Sequence, residues 1–108
     1  MNLNVATVLF DLEEEPMKTP KGKDATVRFV FCEALILPSQ KEGEIEGQEK
    51  ARRFALAQKI AASQETVDLS VDDVALLKKL IGNGFPVLVV GQVYRLIEAA
   101  DKPLELVK

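Results

Sequence analysis

The sequence predicts a mainly α-helical domain of the α+β class, with about four helices and a short N-terminal β-hairpin or strand. Segments 48–63, 70–82 and 86–100 carry apolar residues every three or four positions, the spacing of a helix buried on one face. A capping-box pattern marks the start of the second segment. Over residues 7–12 the pattern instead has a period of two, which is typical of a short strand.

The size and charge of the chain limit its organisation and its partners. It has 108 residues, of which 47% are apolar and 29% are charged, and a net charge of −3. This charge produces no large field of either sign to favour nucleic acid or an anionic membrane. We expect one domain over 1–108, with a β or irregular segment at 1–25, a helical core at 26–102 and a tail at 103–108.

The residue types that the chain lacks exclude several kinds of chemistry. There is no histidine, which excludes imidazole metal ligands and the Ser-His and Cys-His nucleophile pairs. Cys32 is the only cysteine, so no internal disulfide can form. No apolar run reaches the ~18 residues that span a bilayer, and the first four residues lack the basic region of a secretory signal. We therefore expect a soluble, intracellular protein in a reducing compartment.

The first element in the chain is a loose β-hairpin around residues 13–16, with Met17 and Lys18 in the returning strand. The side of the first strand that we predict as apolar contains Val8, Phe10 and Leu12. The acidic run 13–15 stands where a tight turn would have Asn-Gly or Asp-Gly, so the turn is not a two-residue one. Proline and glycine then predict an irregular connector at 18–23.

Segment 27–37 is apolar at nine of its eleven positions and fits either of two elements. The residues at helical spacing are Val27, Val30, Phe31, Ala34 and Leu35. Alternate residues from Val27 to Phe31 fit a strand equally well, and their β-branched and aromatic side chains favour one. We predict a buried helix, which Pro38 ends because the residue before a proline avoids the α region.

A polar loop at 39–47 leads into the helix at 48–63, which is rich in good helix formers. Its predicted apolar face contains Phe54, Leu56, Ala57, Ile60 and Ala61. Lys50 and Arg53 extend this face toward the N-terminus, so we expect the first half of the helix to overhang the core. A glutamate precedes each of these two cations by four residues, which is the stabilising order.

The third helix has the clearest boundaries. Ser70 and Asp73 fit a capping box, and Leu69 and Val74 fit the hydrophobic staple that accompanies one. The predicted apolar face contains Val74, Leu76, Leu77, Leu80 and Ile81. Residues 82–84, Gly-Asn-Gly, can adopt the left-handed conformation that ends a helix.

Pro86 is expected at the first position of the last helix, 86–100. Its apolar arc of about 200° contains Val89, Val90, Val93, Tyr94, Leu96, Ile97 and Ala100. So broad an arc predicts packing on two sides, or one face that contacts a partner. Leu88 lies on the opposite side, and Val87 and Tyr94 edge the arc. We predict Val87, Leu88 and Tyr94 as partner contacts; the alternative is that Leu88 packs within the chain.

No pattern in the chain predicts catalysis. Acid–base work needs a pair of groups held in one site, whereas Asp72 and Asp73 are explained by the start of a helix and residues 13–15 by a solvated turn. The glycines at 82–84 lack the Lys-Ser/Thr of a phosphate loop. Cys32 lies in the most apolar segment, where burial raises the pKa of a thiol, so we expect it to be buried and inert. We predict no catalytic residue, cofactor or metal.

The basic residues form two local clusters, one at 18–28 and one at 50–53. The link between the second and third helices, 64–69, is longer than the turn of a helix-turn-helix, and the third helix begins with two aspartates. We therefore expect the basic residues to be mainly solvated. Lys50 and Arg53 join the partner-binding candidates because they lie beside an apolar face.

Much of the chain resembles a family of small proteins encoded in tailed bacteriophages and prophages, commonly among virion and assembly genes. The resemblance lies in the spacing of core and capping residues in 50–60, 67–81 and 86–98, and in the start at 11–17. It implies a non-enzymatic protein-interaction domain in virion assembly, or a structural accessory. The partner is then a phage structural or assembly protein, or a second copy. The implied location is the cytoplasm of the bacterial host, or the virion. The alternative function is a small regulatory protein that binds nucleic acid or a host protein.

Overall fold

The computed structural model describes residues 1–37 and 42–101, and over these residues the chain folds into four helices and a two-stranded antiparallel sheet. The elements, in chain order, are β1 (Asn2–Asn4), α1 (Val27–Ile36), α2 (Gly47–Ala62), β2 (Thr66–Asp68), α3 (Val71–Gly84) and α4 (Val87–Asp101). α1 packs against α2 and α3, and α4 packs against β1 and α3. The predicted class, mainly α with a short β element at the N-terminus, is confirmed.

The sheet joins distant parts of the chain. β1 pairs with β2, and Leu3 lies opposite Val67. The loose hairpin around 13–16 is also present, as single bridges: Phe10 pairs with Pro16, and the Met17 N–H donates to the Leu9 carbonyl at 2.8 Å.

Asp11 shapes the turn of this hairpin, since its Oδ1 accepts from the N–H groups of Glu13 and Glu15 at 2.9 and 3.0 Å. Glu14 adopts a left-handed conformation, with a φ of 66°, that Asp-Gly turns usually assign to glycine.

The hairpin has the opposite apolar side to the one predicted. Leu9 is buried, whereas Phe10 and Leu12 are exposed. The reason is that Leu9 is held by distant parts of the chain: its N–H donates to the Ala25 carbonyl, and its side chain joins the core. The local alternation at 7–12 does not set the inward side.

α1 settles the choice between helix and strand in favour of the predicted helix. Its buried residues are those at helical spacing: Val27, Val30, Phe31, Ala34 and Leu35. The Thr26 hydroxyl accepts from the Phe29 N–H at 3.3 Å as an N-cap. The helix ends at Ile36, with Leu37 as the C-cap; Pro38 lies outside the described residues.

α2 buries Leu56, Ala57 and Ile60 as predicted, but Phe54 and Ala61 are exposed. Arg53 occupies the centre of the buried face. Since successive residues on a helix are about 100° apart, a central Arg53 places Phe54 on the flank of the helix. The predicted face was therefore too wide on one side.

α3 has the predicted capping box, in which the Asp73 N–H donates to Ser70 Oγ at 3.1 Å and the Ser70 N–H donates to Asp73 Oδ2 at 3.3 Å. Its end differs from the prediction. Gly82 and Gly84 remain helical, without a positive φ, and the helix continues to Gly84. Phe85 is extended because it precedes Pro86, and this ends the helix. α4 then begins at Val87, one residue later than predicted.

We expect Ser70→Ala to lower the free energy of unfolding by about 1 kcal/mol, because the N–H of Asp73 loses its acceptor. Urea denaturation of parent and variant measures the difference. Ser70→Asp keeps an acceptor at the same position and should unfold close to the parent. A loss below about 0.3 kcal/mol in Ser70→Ala would contradict the role of this cap.

Gly82 lets α3 and α4 approach each other. The Tyr94 hydroxyl donates to the Lys78 carbonyl at 2.6 Å, and a Cβ added at Gly82 would lie 2.5 Å from that hydroxyl oxygen. Gly91 on α4 has open space around it. Gly82 and Gly91 therefore form a matched pair of glycines within helices, of which only Gly82 is required for packing.

We expect Gly91→Ala to stabilise the protein by up to about 1 kcal/mol through helix propensity. Gly82→Ala should be less stable than Gly91→Ala by about 1 kcal/mol or more, because Tyr94 must move and lose its hydrogen bond. Thermal unfolding measures both variants. If Tyr94→Phe in the Gly82→Ala background leaves the penalty unchanged, the hydroxyl is not its cause.

Candidate functional site

The predicted partner-binding residues fall into two groups on different helices. Lys50 and Arg53 lie on α2, which packs against α1. Val87, Leu88 and Tyr94 lie on α4, which packs against β1 and α3. Among four of the cavities in the described part of the chain, none is lined by residues of both groups. The structure therefore presents two separate candidate surfaces.

Arg53 is buried, and its guanidinium is bonded to two carboxylates of the same chain. Its side chain is 7% exposed, and its Nη1 and Nη2 donate to the two carboxylate oxygens of Glu42 at 3.1 and 2.7 Å. Its Nε donates to Glu49 Oε2 at 3.0 Å. Such a bidentate, charge-assisted pair fixes both partners in position. Arg53 therefore joins the loop at Glu42 to α2.

The pair with Glu49 is the predicted i,i+4 pair, whereas no sequence pattern indicated Glu42, which lies eleven residues from Arg53 in a loop. The hydrogen bonds that Arg53 donates to the Glu42 carboxylate hold the pKa of Arg53 above its ordinary value. The hydrogen bond from Arg53 is likewise the main cause that lowers the pKa of Glu49. No ion pair joins Glu46 and Lys50, both of which the structure describes.

A largely apolar surface lies beside the buried Arg53, and we name it the α1–α2 patch; it consists of Ile36, Ile45, Lys50 and Phe54. A cavity of about 360 Å³ lies within it, with Leu35 and Arg53 in its wall. Ile36 and Phe54 are 50% and 59% exposed. Clusters of exposed apolar side chains with a polar rim mark interaction sites on soluble proteins. Lys50 is exposed at the edge of the patch.

The α4 group is less accessible. Tyr94 is half-buried, and its hydroxyl donates to the Lys78 carbonyl. Lys78 Nζ lies 5.0 Å from the centre of the Tyr94 ring. Leu88 is also half-buried. Gln92, one turn after Leu88, accepts from the Phe10 N–H and donates to the Phe10 carbonyl at 2.9 and 2.8 Å. That face of α4 therefore contacts the hairpin. Val87, which is 89% exposed, is the accessible residue of this group.

A larger cavity, of about 600 Å³, lies between the 18–24 connector and α1. Cys32 lines it and is half-buried, not fully buried as predicted; its Sγ donates to the Ala57 carbonyl at 3.7 Å. Burial is the main cause that raises the pKa of this thiol, as predicted; the nearby Arg28 opposes the shift and Glu33 adds to it. The thiol is therefore held in its neutral form.

The described residues form no group of three or more cysteine, aspartate or glutamate side chains able to hold a metal ion. Asp72 and Asp73 lie in the first turn of α3, and Glu13, Glu14 and Glu15 are exposed in the hairpin turn. Across the same residues, no helix is long and apolar enough to cross a membrane.

Comparison of the chain with models of protein families, with curated proteins and with solved structures found no match. The resemblance to phage and prophage proteins is therefore an expectation from the sequence. The case for each candidate surface rests on its own geometry and exposure.

The hydrogen bond from Arg53 to Glu49 predicts how the stability of the protein changes at acid pH. A lowered folded-state pKa means that Glu49 stabilises the fold above its unfolded pKa of about 4.3, and that this contribution is lost as the pH falls through the folded value. In Arg53→Met the pKa of Glu49 returns toward its ordinary value. We therefore expect the variant to lose less unfolding free energy than the parent between about pH 6 and pH 3.

Urea denaturation at both ends of this pH range measures the difference. At neutral pH, Arg53→Met should cost about 3 kcal/mol, because the buried bidentate ion pair between Arg53 and Glu42 is broken. Arg52→Met is the matched control, since Arg52 is exposed and its ion pairs, at 3.5 and 3.8 Å, are longer. It should keep most of the parent's pH dependence. Equal pH dependence in parent and Arg53→Met would contradict this account.

Proposed function

We propose that this protein is a non-enzymatic interaction domain of phage or prophage origin, which acts in virion assembly or as a structural accessory. It acts by burying part of its surface against another protein, either a phage structural or assembly protein or a second copy. The observation that supports the proposal is the α1–α2 patch, where the exposed Ile36 and Phe54 line the same cavity. The resemblance to phage proteins supplies the biological setting.

The energetics of the patch favour a protein partner. Burying a large apolar side chain is worth roughly 1.5–3 kcal/mol, and Phe54 leaves more than half of its surface in water. The patch lies beside the buried pair of Arg53 and Glu42, which joins Glu42 to α2. A surface that is already ordered loses little conformational entropy on binding. Lys50 at the rim favours a partner with acidic residues around an apolar centre.

Val87 offers a second, smaller contact. It is isolated at the start of α4, and the neighbouring Leu88 and Tyr94 are half-buried. The patch on α1 and α2 is therefore the first surface to test, and Val87 the second.

The test is to co-express the protein with the products of its neighbouring genes and to measure complex formation by size exclusion with light scattering. We expect Phe54→Glu to weaken the complex at least about tenfold, because a charge replaces a buried aromatic anchor. Its unfolding midpoint should stay close to that of the parent, since Phe54 is exposed. Light scattering of the isolated protein shows whether a second copy is the partner.

Val71→Glu is the control, because Val71 is an exposed apolar residue outside the patch, on α3. It should bind like the parent, and Val87→Glu shows whether α4 contributes. Unchanged binding by Phe54→Glu would exclude the patch as the interface. Binding of duplex DNA that weakens steeply with salt would instead favour the regulatory alternative. In the second basic cluster, Arg52 and Arg53 are already paired with carboxylates.

A further inference from the structure

The cavity of about 600 Å³ beside α1 combines apolar and cationic side chains, and it lies outside the α1–α2 patch. Phe29 and Pro20 contribute apolar surface, and the half-buried Cys32 adds a neutral thiol. Lys21 and Lys23 lie on the connector at the other side. Its volume is within the range of sites for small molecules, about 300–1,000 Å³.

The cavity has more cations than carboxylates available to neutralise them. Asp24 is already paired with Lys18 at 2.5 Å. Lys21 and Lys23 form no ion pair with any residue that the structure describes. Arg28, also in the wall, donates from Nη2 to the Gln64 carbonyl, which carries no charge. The remaining carboxylate of the lining is Glu33, which forms no ion pair within the described chain. One unpaired carboxylate therefore stands against the three cations Lys21, Lys23 and Arg28.

Arg28 carries a second indication of an incomplete site. Its Nε is buried and has no hydrogen-bond partner in the described part of the chain. Such orphaned donors are few in native proteins, and a bound ion or water often completes them. The guanidinium is therefore held in place by one uncharged acceptor, and its charge contributes to a positive potential in the cavity.

The backbone amides at the start of α1 do not contribute to this potential as free donors. The Val27 and Arg28 N–H groups donate to the carbonyls of Thr7 and Val5 at 2.9 and 2.8 Å. The Phe29 N–H is bonded to the Thr26 hydroxyl. Recognition in the cavity is therefore left to side chains, which combine an apolar wall with separate cations.

We propose that this cavity binds a small amphipathic anion, an aromatic or aliphatic group that carries a single carboxylate or sulfonate. The apolar part lies against Phe29 and Cys32, and the anionic group lies toward Lys21 and Lys23. This proposal is independent of the protein-interaction function, because the α1–α2 patch shares no lining residue with the cavity.

The experiment compares naphthoate with naphthylmethylammonium, two aromatic probes of similar size and opposite charge. Both are titrated into the isotope-labelled full chain, and amide chemical shifts are followed by NMR. We expect naphthoate to bind, with the largest shifts over residues 19–33. The cationic probe should bind at least about tenfold more weakly, because the apolar part is shared and only the sign of the charge differs.

Two charge-matched double variants distinguish binding in this cavity from nonspecific electrostatic attraction of the anion to the whole protein. The double variant Lys21→Gln, Lys23→Gln should weaken naphthoate binding about tenfold, the order expected when two exposed charges are lost. Lys50→Gln, Lys79→Gln removes the same net charge elsewhere and should bind like the parent. The proposal is overturned if both probes bind equally, if both double variants weaken binding equally, or if naphthoate leaves residues 19–33 unshifted.

Discussion

The N-terminal segment, residues 1–9, holds the fold together by giving backbone partners to several elements at once. β1 pairs with β2, more than sixty positions later in the chain. Val5 donates to the Glu65 carbonyl and accepts from the Arg28 N–H, so a single residue links the start of β2 to the start of α1. Leu3, Val5 and Leu9 are buried on the same segment. Because buried backbone groups are costly when unpaired, the helices can pack here only around an ordered N-terminal segment.

This constraint explains which parts of the fold the sequence could predict. Helix positions and buried faces depend on local spacing and caps, so α1 and the capping box of α3 were predicted correctly. The pairing of β1 with β2 joins residues that are far apart in the chain, so no local sequence pattern predicts it. The inward side of the hairpin also depends on distant contacts, since Leu9 bonds to Ala25 and is buried, whereas Phe10 bonds to Gln92 and is exposed. The end of α3 was missed for a different reason: Pro86, not glycine, ends the helix.

The candidate site shows the same division between local and distant information. Spacing on α2 identified Lys50 and Arg53 and paired Arg53 with Glu49, one turn away. It could not find Glu42, because a loop residue brought in by folding has no fixed spacing to a helix. The buried arginine takes the centre of the inward face of α2, and a helix face has a limited width. The rotation of α2 about its own axis that buries Arg53 in an ion pair therefore also exposes Phe54.

Both proposed surfaces depend on how α1 is held. At its start, the carbonyls of Val5 and Thr7 occupy the first amides, so α1 offers no free amide there, and the cations of the neighbouring cavity are the side chains of Lys21, Lys23 and Arg28. At its end, Ile36 is exposed beside Phe54, where the pairing of Arg53 with Glu42 neutralises the buried charge. The same ten-residue helix thus borders a cationic cavity and an apolar patch. The two surfaces differ in polarity because the cations at one end lack carboxylate partners, whereas the buried cation at the other end has two.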